Sequence, residues 1–299
     1  WTDFFQGMIM LAALLIAPLF ALALAKAGDG AATGAALPDG FFNFFTTPQD
    51  IISGLGWGLG YFGMPHIIIR FMSLKSEKEL RKSSVIGISW TTIILIMSAL
   101  TAIAGRLYLG EIEDSSTVFI TMVRRIFPAL VSGLLLSAIL SAAMSTADSQ
   151  LLAASSAFAS DVYKPVIRKK ASDSEMLWAG RIVVIVIAIV ALFIASDPNS
   201  GSIMGLVENA WGVFGASFGP VILLSLFWKR LTFGGTVAGI AVGAAVDILW
   251  LVFLSSTDIY EIVPGFAAGL LAAVVVSLLS KGPGKDVENL FDRAVDLKS

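Results

Sequence analysis

The chain has 299 residues, of which 57% are hydrophobic and only 14% charged, and its formal net charge at pH 7 is −2. Soluble domains carry about 25% charged residues, so this composition excludes a soluble globular protein and indicates an integral membrane protein. The charge balance excludes the basic surface that nucleic-acid binding needs. Because the chain has no cysteine and only one histidine, His66, it has no disulfide, thiolate metal site or multi-histidine metal cluster.

Eight apolar stretches follow one another along the chain, each about as long as the 20 residues that cross the hydrocarbon core of a bilayer. They predict transmembrane helices near residues 7–25, 51–72, 84–107, 130–159, 177–195, 205–228, 233–254 and 262–280. The sequence starts at Trp1, with no initiator methionine and no signal-peptide pattern, so we expect it to be the interior of a longer chain. Residues 282–299 are polar and charged and are expected to form a solvated tail.

The lysines and arginines orient these helices, because cytoplasmic loops carry the excess of positive charge. Sixteen of the 20, including Lys75 and Lys298, fall on the side that holds the tail if the eight helices alternate in direction. Only four, Lys26, Arg106, Arg124 and Arg125, fall opposite. The distribution predicts a cytoplasmic carboxyl terminus and a second helix that runs inward.

The second apolar stretch contains the run GLGWGLGYFGMP between Gly54 and Pro65, with five glycines and a proline. Glycine costs about 1 kcal/mol against alanine in a helix interior, and proline removes a hydrogen bond, so the run predicts unwound backbone. Unwound backbone survives in a membrane only where it is buried in protein or lines a polar cavity. A discontinuous helix is therefore a candidate binding site.

Trp57, Tyr61 and Pro65 are spaced four residues apart in this run and would share a face of any helical remnant. Aromatic rings with polar edges, next to freed carbonyl and amide groups, suit a small zwitterion such as an amino acid. The alternative is that the glycines allow close helix packing and the aromatic residues lie at a membrane interface.

The fourth stretch, with the continuation LSAILSAAMSTADSQLLAASSAFASDVYKP, is rich in serine, threonine and alanine. Ala142, Ser145 and Thr146 stand at i, i+3 and i+4, so two hydroxyls and one backbone carbonyl could converge on one point. Oxygen ligands without thiolate or imidazole suit a hard cation, with sodium as the physiological choice. The alternative is simple packing of small residues against neighbouring helices.

Two acidic residues fall inside predicted membrane helices, where an acid is expensive and usually functional or paired. Asp148 lies beside the Ser145 and Thr146 hydroxyls and is a further candidate ligand, or else a buried acid that neighbouring serines satisfy. Asp247, in the seventh helix, is expected to lie at the periphery with a polar partner, and no role is assigned to it.

Four segments resemble, in order, the sodium/solute symporter family: GLGWGLGYFGMPHIIIRFM, LSAAMSTADSQLLAASSAFASDVYK, AWGVFGASFGPVILLSLFW and YEIVPGFAAG. The resemblance runs over the whole chain but covers only the later part of a family member. It implies an all-α, LeuT-like inverted-repeat transporter fold, present in part. Residues 1–281 would hold the last helix of repeat one, all of repeat two and two peripheral helices, and residues 282–299 the cytoplasmic tail.

The resemblance also implies a set of site residues. The Ala142 carbonyl and the Ser145 and Thr146 hydroxyls would bind sodium, with further ligands from amino-terminal helices of the full-length protein that this chain lacks. Trp57, Tyr61 and Pro65 would bind the solute. Met64 stands where the family's proline-transporting members have glutamine, and we include it among the solute-binding residues.

The expected activity is sodium-coupled uptake of a small solute by alternating access in the cell membrane, without covalent chemistry. Proline is the leading solute, and another amino acid or an organic acid such as pantothenate is the alternative. A membrane sensor that feeds a signalling domain is an alternative from another class. An intramembrane hydrolase using serine and His66 is disfavoured, because no Gly-x-Ser-x-Gly nucleophile turn is present.

Overall fold

The architecture is described from a computed structural model, which covers residues 2–28, 37–43, 47–74, 76–197 and 200–296. Over these ranges every regular element is helical. The α-helices are α1 (Thr2–Ala27), α2 (Pro48–Gly60), α3 (Pro65–Met72), α4 (Glu77–Leu109), α5 (Val118–Ile126), α6 (Ala129–Ala157), α7 (Asp173–Ser196), α8 (Ile203–Phe227), α9 (Phe233–Phe253), α10 (Ile262–Leu279) and α11 (Lys285–Asp296). Helix α6 continues as a π-helix over Phe158–Ile167.

Seven of the described helices are long and apolar enough to cross a membrane: α1, α4, α6 with its π-helical extension, α7, α8, α9 and α10. They correspond to seven of the eight predicted helices, and the remaining prediction, near 51–72, corresponds to the pair α2 and α3. The predicted all-α membrane class is therefore confirmed. The short helices α5 and α11 were not predicted. Lys75 and Lys298, two of the charges that were used to orient the helices, lie outside the described residues.

The chain divides into two compact units. The first comprises Trp1–Phe42 and Leu74–Ile187, and in it α1 packs against α4, α5 and α6. Ala13, Ala17 and Ala21 lie four residues apart on α1 and are fully buried against these neighbours. Small side chains at this spacing let helix backbones approach closely, which is how helices associate in lipid, where burial of apolar surface gives little driving force.

The second unit comprises Asn43–Ser73 and Ala188–Ser299, and in it α8 packs against α2, α9 and α10. Glycines form the contacts. A Cβ atom at Gly239 of α9 would lie 2.8 Å from Val221 Cγ1 of α8, and one at Gly269 of α10 would lie 3.0 Å from the Ala216 carbonyl oxygen of α8. At Gly269 the atom that would be met belongs to the α8 backbone, so α10 and α8 are in direct backbone contact there, and at both positions a Cβ atom would force a neighbouring atom to move.

Helix α11 is the amphipathic part of the predicted tail. Lys229 Nζ, in the loop between α8 and α9, donates to Asp292 Oδ2 of α11 at 2.6 Å. This bond holds the pKa of Lys229 above its ordinary value. Both side chains are exposed, so the ion pair orients α11 without adding much stability.

Candidate functional site

The break in the second predicted helix is shorter than the sequence suggested. Helix α2 continues through Gly60, and only Tyr61–Met64 departs from helical structure before Pro65 begins α3. The Phe62 N–H donates to the Leu59 carbonyl at 3.3 Å, and the Gly63 N–H donates to the Gly60 carbonyl at 2.9 Å. These tight-turn bonds satisfy part of the backbone that the helix no longer pairs. The prediction of a discontinuous helix is confirmed, but unwinding over all of Gly54–Pro65 was wrong.

Three of the five glycines lie on the packed face of the break. A Cβ atom at Gly56 would lie 2.7 Å from Val263 Cγ2, one at Gly60 would overlap the Trp211 indole, and one at Gly63 would overlap the Phe214 carbonyl oxygen. Gly54 and Gly58 have nothing within 4 Å of a Cβ position. The interpretation as close helix packing therefore holds for these three glycines, which bring α2 against α8 and α10.

Trp57 and Tyr61 both contact Trp211 of α8. The Trp211 Nε1–H donates to the Trp57 carbonyl at 2.9 Å, so it satisfies a backbone oxygen at the end of α2. The Tyr61 ring lies edge-on to Trp211 with 4.9 Å between centroids, and the Trp57 ring lies 5.3 Å from that of Tyr260. Offset and edge-on contacts at these distances are favourable. The two predicted residues thus belong to one aromatic cluster, which consists of Trp57, Tyr61, Trp211 and Tyr260.

The aromatic cluster is fixed to the segment that precedes α10. The Tyr260 N–H donates to Ser53 Oγ at 3.0 Å, and Ser53 Oγ donates to the Asp258 carbonyl at 3.3 Å. The Tyr260 hydroxyl donates to the Glu208 carbonyl of α8 at 2.8 Å. Tyr260 is buried, whereas 54% of Tyr61 is exposed, so Tyr61 is the ring of the cluster with the most open surface.

Met64 and Pro65 lie at the other end of the break. Met64 is the N-cap residue of α3 and is buried, and its carbonyl accepts from the Ile67 and Ile68 amides at 3.1 and 3.2 Å. Pro65 is exposed and occupies the first turn of α3, where its missing N–H costs nothing. Met64 therefore packs into the second unit with its side chain, and Pro65 starts the new helix.

The predicted sodium residues lie on α6 of the first unit. Ser145 Oγ and Thr146 Oγ1 donate to the same acceptor, the Ala142 carbonyl, at 3.2 and 3.3 Å. Three oxygen atoms therefore meet at one point of the helix surface, as the spacing predicted. Serine bonds to the preceding turn are common in helices, and Ser137 makes one to Leu134, so the bonds alone do not mark a site. What distinguishes this position is that two adjacent hydroxyls, those of Ser145 and Thr146, share the Ala142 carbonyl as their acceptor.

The two intramembrane acids differ in burial. Asp148 is exposed on α6, so it does not match the alternative of a buried acid. Asp247 of α9 is fully buried, and neither of its carboxylate oxygens has a hydrogen-bond partner among the described residues. The expectation that Asp247 lies at the periphery with a polar partner was therefore wrong. Its sequence neighbours are apolar, so only the packing of α8 and α10 on α9 buries it.

Trp211 and Tyr260 were not predicted from the sequence as members of the aromatic cluster. Both occur in segments that carried the family resemblance, AWGVFGASFG and YEIVPG, and both are aromatic residues next to residues that pack closely. A tryptophan one residue before Gly212, in a helix with further glycines at 215 and 219, was the available signal. Nothing in the spacing of the sequence relates these residues to Trp57, because 154 residues separate Trp57 from Trp211.

Comparison with known proteins gives one family. The model of the sodium:solute symporter family matches residues 1–243. The chain is 44% identical over 306 residues to the high-affinity proline transporter PutP of Bacillus subtilis, covering 100% of this chain and 64% of that protein. It is 42% identical to the osmoregulated proline transporter OpuE of the same organism, covering 97% and 61%. It is 44% identical to the sodium/proline symporter of Haemophilus influenzae, covering 98% and 62%. The chain therefore spans less than two thirds of the length of these relatives.

A solved structure has the same fold. It is that of a Na⁺-coupled sialic acid symporter in a substrate-bound outward-open state, with a TM-score of 0.70 at 20% sequence identity. The match covers 95% of this chain and 63% of the other. It confirms the LeuT-like transporter fold that the resemblance implied.

The contact between Gly60 and Trp211 gives a test of this arrangement. We expect Gly60→Ala to displace the Trp211 indole, break its bond to the Trp57 carbonyl and lower stability by about 1–3 kcal/mol through overpacking. Gly58→Ala, two residues away with open space around it, is the control and should be neutral or stabilising by up to about 1 kcal/mol. Thermal unfolding of the purified full-length protein measures both, and equal melting temperatures for the two variants would contradict the close contact.

Proposed function

Because the chain belongs to the sodium:solute symporter family, we propose that the protein performs sodium-coupled uptake of a small solute, proline, by alternating access. The observation that carries the proposal is the interrupted helix α2–α3 with its aromatic cluster, in a chain 44% identical to a proline transporter. Discontinuous helices supply solute and ion sites in transporters of this type. Such a protein is a secondary transporter and not an enzyme.

Sodium, as co-transported cargo, binds at α6. The Ala142 carbonyl and the Ser145 and Thr146 hydroxyls are the ligands from this chain, and Asp148 is a further candidate on the same helix. What supports the assignment is that both hydroxyl oxygens already lie within 3.3 Å of the shared Ala142 carbonyl oxygen, which gives three hard oxygen ligands at one place. A sodium ion would bind the hydroxyl lone pairs, while each hydroxyl keeps its proton and donates it to the Ala142 carbonyl or to another acceptor.

The coupling is energetically adequate. One charge that moves through 100 mV gains about 2.3 kcal/mol, which corresponds to a solute gradient of about fifty-fold. Sodium at α6 stabilises the outward-facing state, solute then binds, and rocking of the two repeats exposes both to the cytoplasm.

The solute binds at the break between α2 and α3. Tyr61 offers a half-exposed ring, Trp57 forms the packed wall behind it, and Met64 and Pro65 flank the other end of the break. Met64 is buried and stands where the family's proline-transporting members have glutamine, so it is the position at which this chain departs from them. Another amino acid or an organic acid such as pantothenate is the alternative solute.

Repeat assignment follows from the same family membership. Helix α1 is the last helix of repeat one, α2 to α8 form repeat two, and α9 and α10 are peripheral helices, so residues 1–281 form the transmembrane region. The remaining sodium and solute ligands come from amino-terminal helices of the full-length protein. Lipid surrounds the exposed apolar side chains of α4 and α7, and the tail that begins at residue 282 lies in the cytoplasm.

The sodium site is tested on initial rates of proline uptake by the full-length protein in proteoliposomes. We expect Ser145→Ala and Thr146→Ala each to raise the sodium concentration for half-maximal uptake at least about tenfold, since each removes one of few ligands. Ser137→Ala is the control, because it removes a hydroxyl that also bonds to the preceding turn, about two turns earlier on α6. It should leave the sodium dependence unchanged. Unaltered sodium dependence in both site variants would refute the assignment.

The solute site is tested by competition. Proline, other amino acids, pantothenate and simple carboxylates are added in turn to labelled proline uptake, and we expect proline to compete best. Tyr61→Ala should raise the KM for proline about tenfold with sodium affinity retained, because it removes a contact surface on the solute. Phe71→Ala, which removes an exposed ring on α3 outside the break, is the control. A KM that changes equally in both variants would show that Tyr61 has no specific role.

The orientation is tested with single cysteines, since none of the 299 residues is cysteine. Glu288→Cys in α11 should react with a membrane-impermeant maleimide only after the cells are permeabilised. Glu113→Cys, between α4 and α5, should react in intact cells. The reverse pattern would overturn the charge-based topology.

A further inference from the structure

Two carboxyl groups meet inside the second unit, outside the aromatic cluster. Asp247 of α9 is fully buried, and Glu261, the residue before α10, is only 7% exposed. Both point at Gly212 of α8. A Cβ atom there would lie 3.1 Å from Asp247 Oδ1 and 3.3 Å from Glu261 Oε1. Glycine at 212 therefore leaves the two carboxyl oxygens facing one common point between three helices.

These oxygens have no partners. Asp247 Oδ1, Asp247 Oδ2 and Glu261 Oε1 are buried and accept no hydrogen bond from the described residues. One backbone hydrogen bond is present at the pair, from the amide of Glu261 to its own carboxyl group, and it does not reach these three oxygens. Two acids with three unsatisfied oxygens in one apolar interface therefore need a positive charge or a proton.

No basic side chain is available for this purpose. Helices α2, α8, α9 and α10 contain no lysine, arginine or histidine. Lys229 and Arg230 precede the opposite end of α9, about 20 Å along the helix axis from Asp247. The other titratable side chains on these helices and on the 254–261 connection are acids or a phenol: Asp50, Glu208, Asp258 and Tyr260. The Tyr260 hydroxyl is already committed to the Glu208 carbonyl.

The surrounding acids make ionisation of both carboxyl groups still less favourable. Burial raises the pKa of Glu261, and with the Glu208 carboxylate it outweighs the hydrogen bond from the Glu261 backbone amide, which lowers the pKa. A metal ion is a poorer solution than a proton. Hard cations take about six oxygen ligands, whereas the described residues bring no third acidic, histidine or cysteine side chain to these two carboxyl groups.

We infer that Asp247 and Glu261 form a proton-binding site, in which the two carboxyl groups that face Gly212 together hold one proton. The proton leaves a single negative charge shared by the pair, in the way that close carboxylates in a common site hold one proton. The site does not depend on the identity of the transported solute. It adjoins the aromatic cluster, since Tyr260 directly precedes Glu261, so loss of the proton would be felt at the ring that packs on Trp57.

The linkage to stability has a definite sign. In the unfolded chain both carboxyl groups lose their protons near their ordinary pKa of about 4. The folded protein keeps one proton at pH values above about 4. Over that range the unfolded state binds fewer protons than the folded state, so the free energy of unfolding falls as pH rises. The loss is complete once the folded pair has also released its proton.

Infrared spectroscopy of the full-length protein in lipid nanodiscs tests the site directly. At about pH 7 we expect the C=O stretch of a protonated carboxyl group, shifted in D₂O and absent from the double variant Asp247→Asn, Glu261→Gln. The exposed Glu113→Gln is the control and should keep the band. A wild-type spectrum identical to that of the double variant would overturn the site. A band that appears only when sodium is removed would also overturn it, since sodium would then be the ligand.

A second measurement covers the case in which the double variant does not fold. In the wild type alone, the same band should disappear on titration to about pH 10, and the melting temperature should fall over the same range. Asp247→Asn, which keeps the shape of the side chain, should flatten this pH dependence, while Glu113→Gln should retain it. A carboxyl band that is unchanged across the titration, or equal pH dependence in Asp247→Asn and the wild type, would contradict proton binding at this pair.

Discussion

Close contact between helix backbones is the constraint on which the second unit depends. In lipid, helices gain little from burying apolar surface, so their association rests on packing at short range. Helix α8 meets this requirement on three sides, where Gly60 and Gly63 approach it from the broken helix, and Gly239 and Gly269 approach it from α9 and α10. Larger side chains at these positions would separate the helices and remove the contacts that hold every other feature of the unit in place.

The aromatic cluster follows from that approach. With no Cβ at Gly60, the Trp211 indole reaches the α2 backbone and donates to the Trp57 carbonyl. One side chain thus satisfies a backbone group near the break and supplies the surface on which Tyr61 rests. Three of the five glycines that were interpreted as unwinding signals, Gly56, Gly60 and Gly63, pack against other helices. Gly63 also lies in the break that precedes Pro65. The break is short, because only Tyr61–Met64 lies between the end of α2 and the start of α3.

The proposed proton site results from the same close packing of helices. When α9 and α10 close on Gly212, Asp247 loses contact with water and faces Glu261 in an interface without a basic residue. Asp148 also lies within an apolar stretch, but its side chain is exposed on α6 and is not buried within its unit. Two acids that look alike in sequence therefore receive different proposals: Asp148 as a candidate cation ligand, and Asp247 as half of a proton-binding pair.

The sequence by itself determined the membrane class, seven long helices, the interruption before Pro65 and the convergence of Ser145 and Thr146 on Ala142. Each of these depends on local rules, namely apolar length, the cost of glycine and proline, and helical periodicity. Only the tertiary structure decided that Gly56, Gly60 and Gly63 pack against other helices, that Trp211 and Tyr260 join Trp57, and that Asp247 meets Glu261. These contacts join residues far apart in the chain, and local preferences carry no information about which helix faces will touch. The physical reason is that burial belongs to the assembled helices, since an isolated α9 would leave Asp247 on its surface.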